Sequence, residues 1–344
     1  MLTTEVRLIC RPAARAASTD FALHDAVLPE PGDGEVRVAL RWLAIDPMLN
    51  ERATGDRVGP MVALGSRMPG RGIGRVVSGA LPPGTRVAGE FGWRSHAVVP
   101  AQGLTVLPDD AAVPETAWLG ALGIPGISAW IALNDIARVA RGQTLLVTSA
   151  AGTVGAIAAQ LALDAGVRVV GVASGAAKCS WLRERGVVAV DRLATGGAAS
   201  ALDDALTIAL PAALPAALAA ALPGGFDALL DLAGGALLEA ALPHAQIGAR
   251  IVLVGHVGSY GAAAARVDAD LVLYRRAALH GFLVHDHGAR FADAHADLLR
   301  RVRAGAIAVP QTLHEGLASA PQALEALLCG RGIGRHLVRV HDDA

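Results

Sequence analysis

Residues 149–155, Ser-Ala-Ala-Gly-Thr-Val-Gly, set small side chains between a short apolar run, Leu145 to Thr148, and an alanine-rich run, Ala156 to Ala165. Laid on a G-x-G-x-x-G template, the motif positions are Ala150, Gly152 and Gly155. Gly152 lets backbone approach a pyrophosphate seated on a helix N-terminus, where unpaired N–H groups attract anions. Thr153 and Val154 open that helix and belong to the same phosphate-binding turn. Gly155 lets the helix pack close to the strand. Ala150 departs from the first glycine, and a small-residue turn that serves packing alone is the plain alternative. Gly166 then stops the helix, and Val167 to Val172 reads as a second strand. Strand, tight turn, helix and strand make a dinucleotide-binding βαβ crossover.

The end of the second strand discriminates between cofactors. An NAD site carries a carboxylate there for the ribose 2′-OH. This chain has Ala173-Ser174-Gly175-Ala176-Ala177-Lys178 instead. Small residues around Ser174 leave room for a 2′-phosphate, Lys178 neutralises it, and Arg192 supplies a second cation after the next apolar run. The expected cofactor is NADP(H); the bland reading has Lys178 facing solvent at the start of a helix.

Other chemistries find less support. Cys10, Cys179 and Cys329 are scattered and odd in number, fitting neither a disulfide framework nor a zinc quartet, and they suggest a reduced, cytoplasmic setting. No metal is expected, although His280, His285 and His287 fall close together. A formal net charge of −1, with no Lys/Arg cluster, argues against a nucleic-acid partner. The N-terminus has no signal-peptide pattern. The uncharged stretch between Asp204 and Asp227 is broken by Pro211, Pro215 and Pro223, so it reads as one or two short helices over Ala205 to Ala221 and no membrane partner is expected.

The elements that must position these residues follow from patterning. Alanine, valine, leucine and glycine supply a core in a chain of 344 residues with only 3% aromatics. Glu35 to Leu43 alternates charged and apolar residues as a half-buried strand does, and short strands between Gly/Pro turns follow to Val99, as in a small barrel. Ala112 to Leu133 turns helical with Gly123 to Gly126 as a hinge. From Gln143, six strands (Leu145–Thr148, Val167–Val172, Val187–Val190, Ala228–Leu232, Arg250–Val254, Ala278–Val284) predict a doubly wound sheet. Lys178 to Arg185 and Phe291 to Ala304 read as helices. The tail reads as a loop from Val309, a helix Ala320 to Leu328 and a strand His336 to Val340. The predicted division is 1–124, 125–303, and a tail 304–344 returning to the first domain.

This layout resembles the medium-chain dehydrogenase/reductase superfamily, and within it the zinc-free prostaglandin reductase and alkenal double-bond reductase family. Leu119-Gly120-Ala121-Leu122-Gly123-Ile124-Pro125-Gly126 is similar to that family's L-G-x-x-G-M-P-G. Ala150 to Gly155 resembles A-A-G-A-V-G, Asp231 to Gly235 resembles D-N-V-G-G, and Glu315 to Pro321 resembles E-G-L-x-x-A-P. The resemblance implies an α/β protein with a GroES-like β-barrel domain and a Rossmann domain. It also implies NADPH-dependent reduction of the C=C bond of an enone or enal, without metal, by a homodimer. A tyrosine and the nicotinamide ribose would stabilise the enolate. The chain's two tyrosines, Tyr260 and Tyr274, both match family tyrosines; Tyr274 is the first candidate donor and Tyr260, after Gly255 in the loop flanking the nicotinamide, the second. Met48 and Asn50 replace the tyrosine and arginine of D-P-Y-M-R, and Gly332 replaces a cofactor-contacting asparagine. With Tyr260, Tyr274 and His285, Met48 and Asn50 are the expected pocket wall. A quinone or enoyl-thioester reductase, or a non-catalytic nucleotide-binding relative, remains the alternative.

Overall fold

A computed structural model describes residues 1–55, 59–193, 213–260 and 265–341. They form two compact units, Met1–Leu119 with Gln311–Ala344, and Gly120–Pro310. The divisions lie a few residues from those expected at 124 and 303.

The first unit opens with an antiparallel pair, β1 (Leu2–Leu8) and β2 (Phe21–Val27). β3 (Glu35–Ile45) has the alternation legible in the sequence: Val36, Val38 and Leu40 are fully buried between half-buried Arg37 and Arg41. A short helix, α1 (Met48–Thr54), ends at Gly55 in the left-handed region. β4 (Arg71–Gly79), β5 (Arg86–Glu90), β6 (His96–Pro100) and β7 (Thr105–Val106) follow. β4 pairs along one edge of β3, while β6 takes the first half of the other edge.

The second unit is built on βα repeats. α2 (Ile124–Ile131) leads into β8 (Thr144–Val147), α3 (Thr153–Asp164), β9 (Arg168–Ala173), α4 (Ala176–Arg183) and β10 (Val188–Asp191). Then come α5 (Leu214–Ala221), β11 (Phe226–Asp231), α6 (Gly235–Ala241), β12 (Ala245–Leu253), α7 (Ala269–Arg275), β13 (Ala278–Gly281) and α8 (Phe291–Arg303). The helix expected from Ala205 is described only from Leu214; residues 205–212 lie outside the described residues. All strand pairings are parallel, in the order β10-β9-β8-β11-β12-β13. This is the doubly wound order, with its switch point between β8 and β11. Leu146, Val170, Leu229 and Ile251 have no exposed surface, as expected of strands covered on both faces.

The tail brings β14 (Gln311–Glu315), α9 (Ala320–Leu328) and β15 (Arg335–Arg339). β14 corrects the loop expected from Val309. β15 lies parallel to β14 and antiparallel to β3, taking the half of the β3 edge that β6 leaves. Arg335 clamps this join, donating to both carboxylate oxygens of Asp46 and to Ile45 O. Among the described residues no helix is long and apolar enough to cross a membrane.

Candidate active site

The phosphate turn forms as its residue types demand. Gly152 caps α3 in an extended conformation with no side-chain cap, leaving first-turn N–H groups of Thr153 and Val154 to face an anion. A Cβ on Gly155 would lie 2.6 Å from Ser149 O and 2.8 Å from Ala150 Cα, so only glycine lets α3 sit this close. The alanine at the first motif position is compensated across the sheet. A Cβ on Gly171 of β9 would come 2.7 Å from the Ala150 methyl, so the glycine there makes the methyl's room.

Beside the turn, Arg192 is only 9% exposed and its Nε donates to Ser174 Oγ at 2.9 Å. Burial, and then the Arg192 cation, push the Lys178 ammonium below its ordinary value. Burial likewise lowers Arg192, against the pull of Asp191. Asp191 is itself occupied: its Oδ1 accepts from Gly175 N and Leu193 N, both at 2.9 Å. Two neighbouring cations, with Ser174 held by Arg192 and no carboxylate at the end of β9, fit a 2′-phosphate, whose dianion relieves the repulsion that lowers Lys178.

The switch point is closed by a polar knot. Thr148 Oγ1 donates to Asp231 Oδ1 at 2.6 Å and accepts from Leu232 N at 2.8 Å and Ala233 N at 3.2 Å. Asp231 is 1% exposed and accepts from Gly234 N at 3.0 Å. Burial pushes its carboxyl above the ordinary value, while Thr148, Gly234, Ala233 and the charge of His256 hold it down. Its carbonyl accepts from Val254 N and Gly255 N, and Ala233 O accepts from Gly258 N at 2.8 Å. The loops after β11 and β12 are thereby tied together, with Tyr260 at the end of the second; its ring meets His256 edge to face at 5.1 Å. Sequence reasoning passed over Thr148 and Asp231 as functional residues. The available signal was a polar residue ending each of two apolar strands of one nucleotide-binding sheet.

The remaining candidates belong to other elements. Tyr274 is 72% exposed near the end of α7, four residues before β13 begins in parallel register with Arg250 of β12. It therefore stands toward the N-terminal edge of the sheet, whereas Tyr260 follows the C-terminal end of β12. His285, beyond β13, is exposed. Met48, Asn50 and Gly332 belong to the first unit. Met48 is 45% exposed. Asn50 is 1% exposed, and its amide is occupied by backbone, accepting from Ala16 N and donating to Ala14 O. Gly332 has φ +77, and a Cβ there would meet Thr312 Oγ1 at 2.6 Å and His336 Nε2 at 2.8 Å, so an asparagine has no room at this position. Among the described residues no three His, Cys, Asp or Glu side chains are placed to hold a metal ion.

The chain matches two family models, one described as the N-terminal domain of oxidoreductase, over residues 4–107, and one described as zinc-binding dehydrogenase, over 153–300. It is 32% identical to the NADPH-dependent curcumin reductase of Escherichia coli, covering 98% of this chain and 96% of that one. It is 31% identical to bovine (Bos taurus) prostaglandin reductase 1, covering 94% of each. The crystal structure of CurA from Vibrio vulnificus in complex with NADPH superposes with a TM-score of 0.87 at 26% identity, over 99% of this chain and all of that one.

Proposed function

The chain belongs to the zinc-free prostaglandin reductase and alkenal reductase family of the medium-chain dehydrogenase/reductase superfamily and is an NADPH-dependent oxidoreductase, and from that premise we propose that it reduces the C=C bond of α,β-unsaturated ketones and aldehydes. NADPH, when bound, supplies the hydride that adds to the substrate β-carbon. The chain's own residues hold and polarise. The N-terminus of α3, from Gly152 to Gly155, seats the pyrophosphate, and Ser174, Lys178 and Arg192 take the 2′-phosphate. Tyr260 donates its hydroxyl proton in a hydrogen bond to the carbonyl oxygen, where negative charge develops as the β-carbon is reduced.

The observation that carries this reading is the placement of Tyr260. Its loop is tied through Gly258 and Ala233 to the Thr148–Asp231 knot at the switch point, where ligands of such sheets bind. Tyr274, ranked first on sequence grounds, stands toward the other edge and is better suited to a contact with a second copy. A homodimer through β13 is supported by that strand lying at the end of the sheet, with Leu273, Tyr274 and Leu283 exposed around it.

The test is NADPH consumption with product identification against enones, quinones and enoyl-thioesters, for the parent and Tyr260→Phe. Saturated ketone from an enone, with turnover lowered by the substitution, is the expected result. Preference for a quinone or thioester would move the substrate class. Unchanged turnover of Tyr260→Phe, with hydride transfer rate-limiting, would remove Tyr260 from the mechanism.

A further inference from the structure

The first unit holds a charged cluster that the reductase chemistry does not use. Glu5 and Arg7 lie two apart on β1 and so share a face. Isolated antiparallel bridges pair Glu5 with Arg94 and Arg7 with Arg67. Directly opposed residues of such pairs project to the same side. Three guanidinium groups and one carboxylate therefore meet on one face, joined by exposed His24, which pairs with Glu5 from β2.

The carboxylate is saturated. Glu5 is 5% exposed; Arg67 Nη1 donates to its Oε1 at 2.7 Å, and Arg7 Nε and Nη2 donate to its Oε2 at 3.1 and 3.0 Å. Burial pushes the Glu5 carboxyl up, but Arg67 and Arg7 hold it below its ordinary value. Arg94 is left over. It is 8% exposed, and its Nε donates to Phe91 O at 2.7 Å. Among the described residues neither Nη has a protein acceptor and no ion pair reaches it. Burial and the neighbouring Arg67 cation lower its pKa to about 10, so it stays cationic at neutral pH. Glu5 pulls the other way, but one carboxylate shared among three guanidinium groups leaves net positive charge in a largely buried place, which is costly. Next to this excess of positive charge opens a cleft of about 400 Å³ lined by Glu5, Arg7, Gly65, Ser66 and Arg67.

We propose that the Arg7–Arg67–Arg94 cluster is an anion site for a phosphate group, distinct from the phosphate-binding turn and the 2′-phosphate site of the second unit. Guanidinium forks match the oxygens of phosphate in pairs, and Ser66 lies on the same wall. Free phosphate and a phosphomonoester carried by a larger molecule share this chemistry.

The experiment is calorimetric titration of inorganic phosphate, and separately of adenosine 3′-phosphate, into NADPH-saturated enzyme at constant ionic strength, with chloride as the control. NADPH keeps the cofactor sites filled, and the readout is independent of turnover. Saturable binding is expected. Arg67→Ala and Arg94→Met should each weaken it about 10-fold or more, with NADPH affinity and reductase rate unchanged. Tighter binding of the ester assigns the site to a carried phosphate, and equal binding to the free ion. Should Arg94→Met fail to fold, Arg67→Ala and Arg7→Ala, whose parent side chains are 34% and 28% exposed, carry the same test. Phosphate heats equal to those of chloride, or arginine variants that titrate like the parent, overturn the proposal.

Discussion

Arg192 stands close enough to lower the hold of Lys178 on its proton, an arrangement that favours a dianion beside them. Lys178→Ala should weaken NADPH binding about 10- to 100-fold, the range of one charged hydrogen bond, and leave NADH nearly untouched; fluorescence titration of both cofactors checks this. The pH dependence has a definite sign. The Lys178 ammonium is depressed below 10.5, so its charge is lost as pH rises through that lowered value, and the NADPH preference should fall at a pH where an ordinary lysine is still charged. For Tyr260→Phe we expect kcat and kcat/KM to drop together by about 10-fold, because the ribose hydroxyl shares the oxyanion role. Tyr274→Phe should leave both unchanged. The cofactor candidates could be proposed from sequence because their meaning is local, a turn and the end of the strand after it. A choice between the tyrosines turns on which end of a parallel sheet each one reaches, which sequence pattern does not carry. Likewise, the sequence position of Asn50 gave no sign that its amide braces the backbone at Ala14 and Ala16.

Among the elements, the tie between β8 and β11 and the seat of α3 make separable predictions. Thr148→Val keeps the side-chain shape but removes a donor from Asp231 and the acceptor of Leu232 N and Ala233 N. Leaving such buried groups unpaired costs about 1–3 kcal/mol, measurable by urea unfolding, and the loosened Tyr260 loop should lower kcat more than it weakens NADPH. Gly155→Ala forces α3 away from Ser149 and Ala150, so NADPH and NADH should weaken alike, in contrast to Lys178→Ala. The six strands of the parallel sheet were readable because burial on both faces makes each a continuous apolar run. β14 was not: none of Gln311 to Glu315 is buried, so no hydrophobic period marks it. β1 was hidden differently, since Glu5 points to a buried position that its arginine partners make tolerable, and this breaks the alternation a strand is recognised by.

At the scale of the molecule, the second unit is fastened by polar contacts on α8, among them an ion pair from Arg301 to Asp164 of α3. Asp297 on α8 accepts from Trp130 Nε1 of α2 at 3.0 Å and from Arg301 Nε at 2.8 Å. Burial would raise this carboxyl, but Arg301, Arg300 and Trp130 hold it below its ordinary 3.8. A depressed carboxyl contributes stability that is present above the unfolded value and lost as pH falls through the folded one. Asp297→Asn should therefore destabilise by about 1 kcal/mol near neutrality, after discounting for solvent screening. The gap from the parent should close as pH drops below 3.8, as unfolding curves at the two pH values would reveal. Light scattering tests the second copy: a dimer should become a monomer when charge is placed at the sheet edge by Leu283→Asp.

The position of β15 beside β3 bears on how the chain is made. Residues 120–310 are contiguous and can condense as soon as they leave the ribosome, but the sheet of the first unit is assembled from both ends of the sequence. Arg335 must reach Ile45 across a separation of 290 residues. Loop entropy grows only logarithmically with such spans, so the finished protein loses little stability by it. The delay falls on synthesis. At roughly 5–20 residues per second, the buried run Trp42 to Ile45 waits many seconds with half of one edge unpaired, a bare template for another nascent strand. During that interval β3 is exposed along the half of its edge that β15, made 290 residues later, goes on to shield.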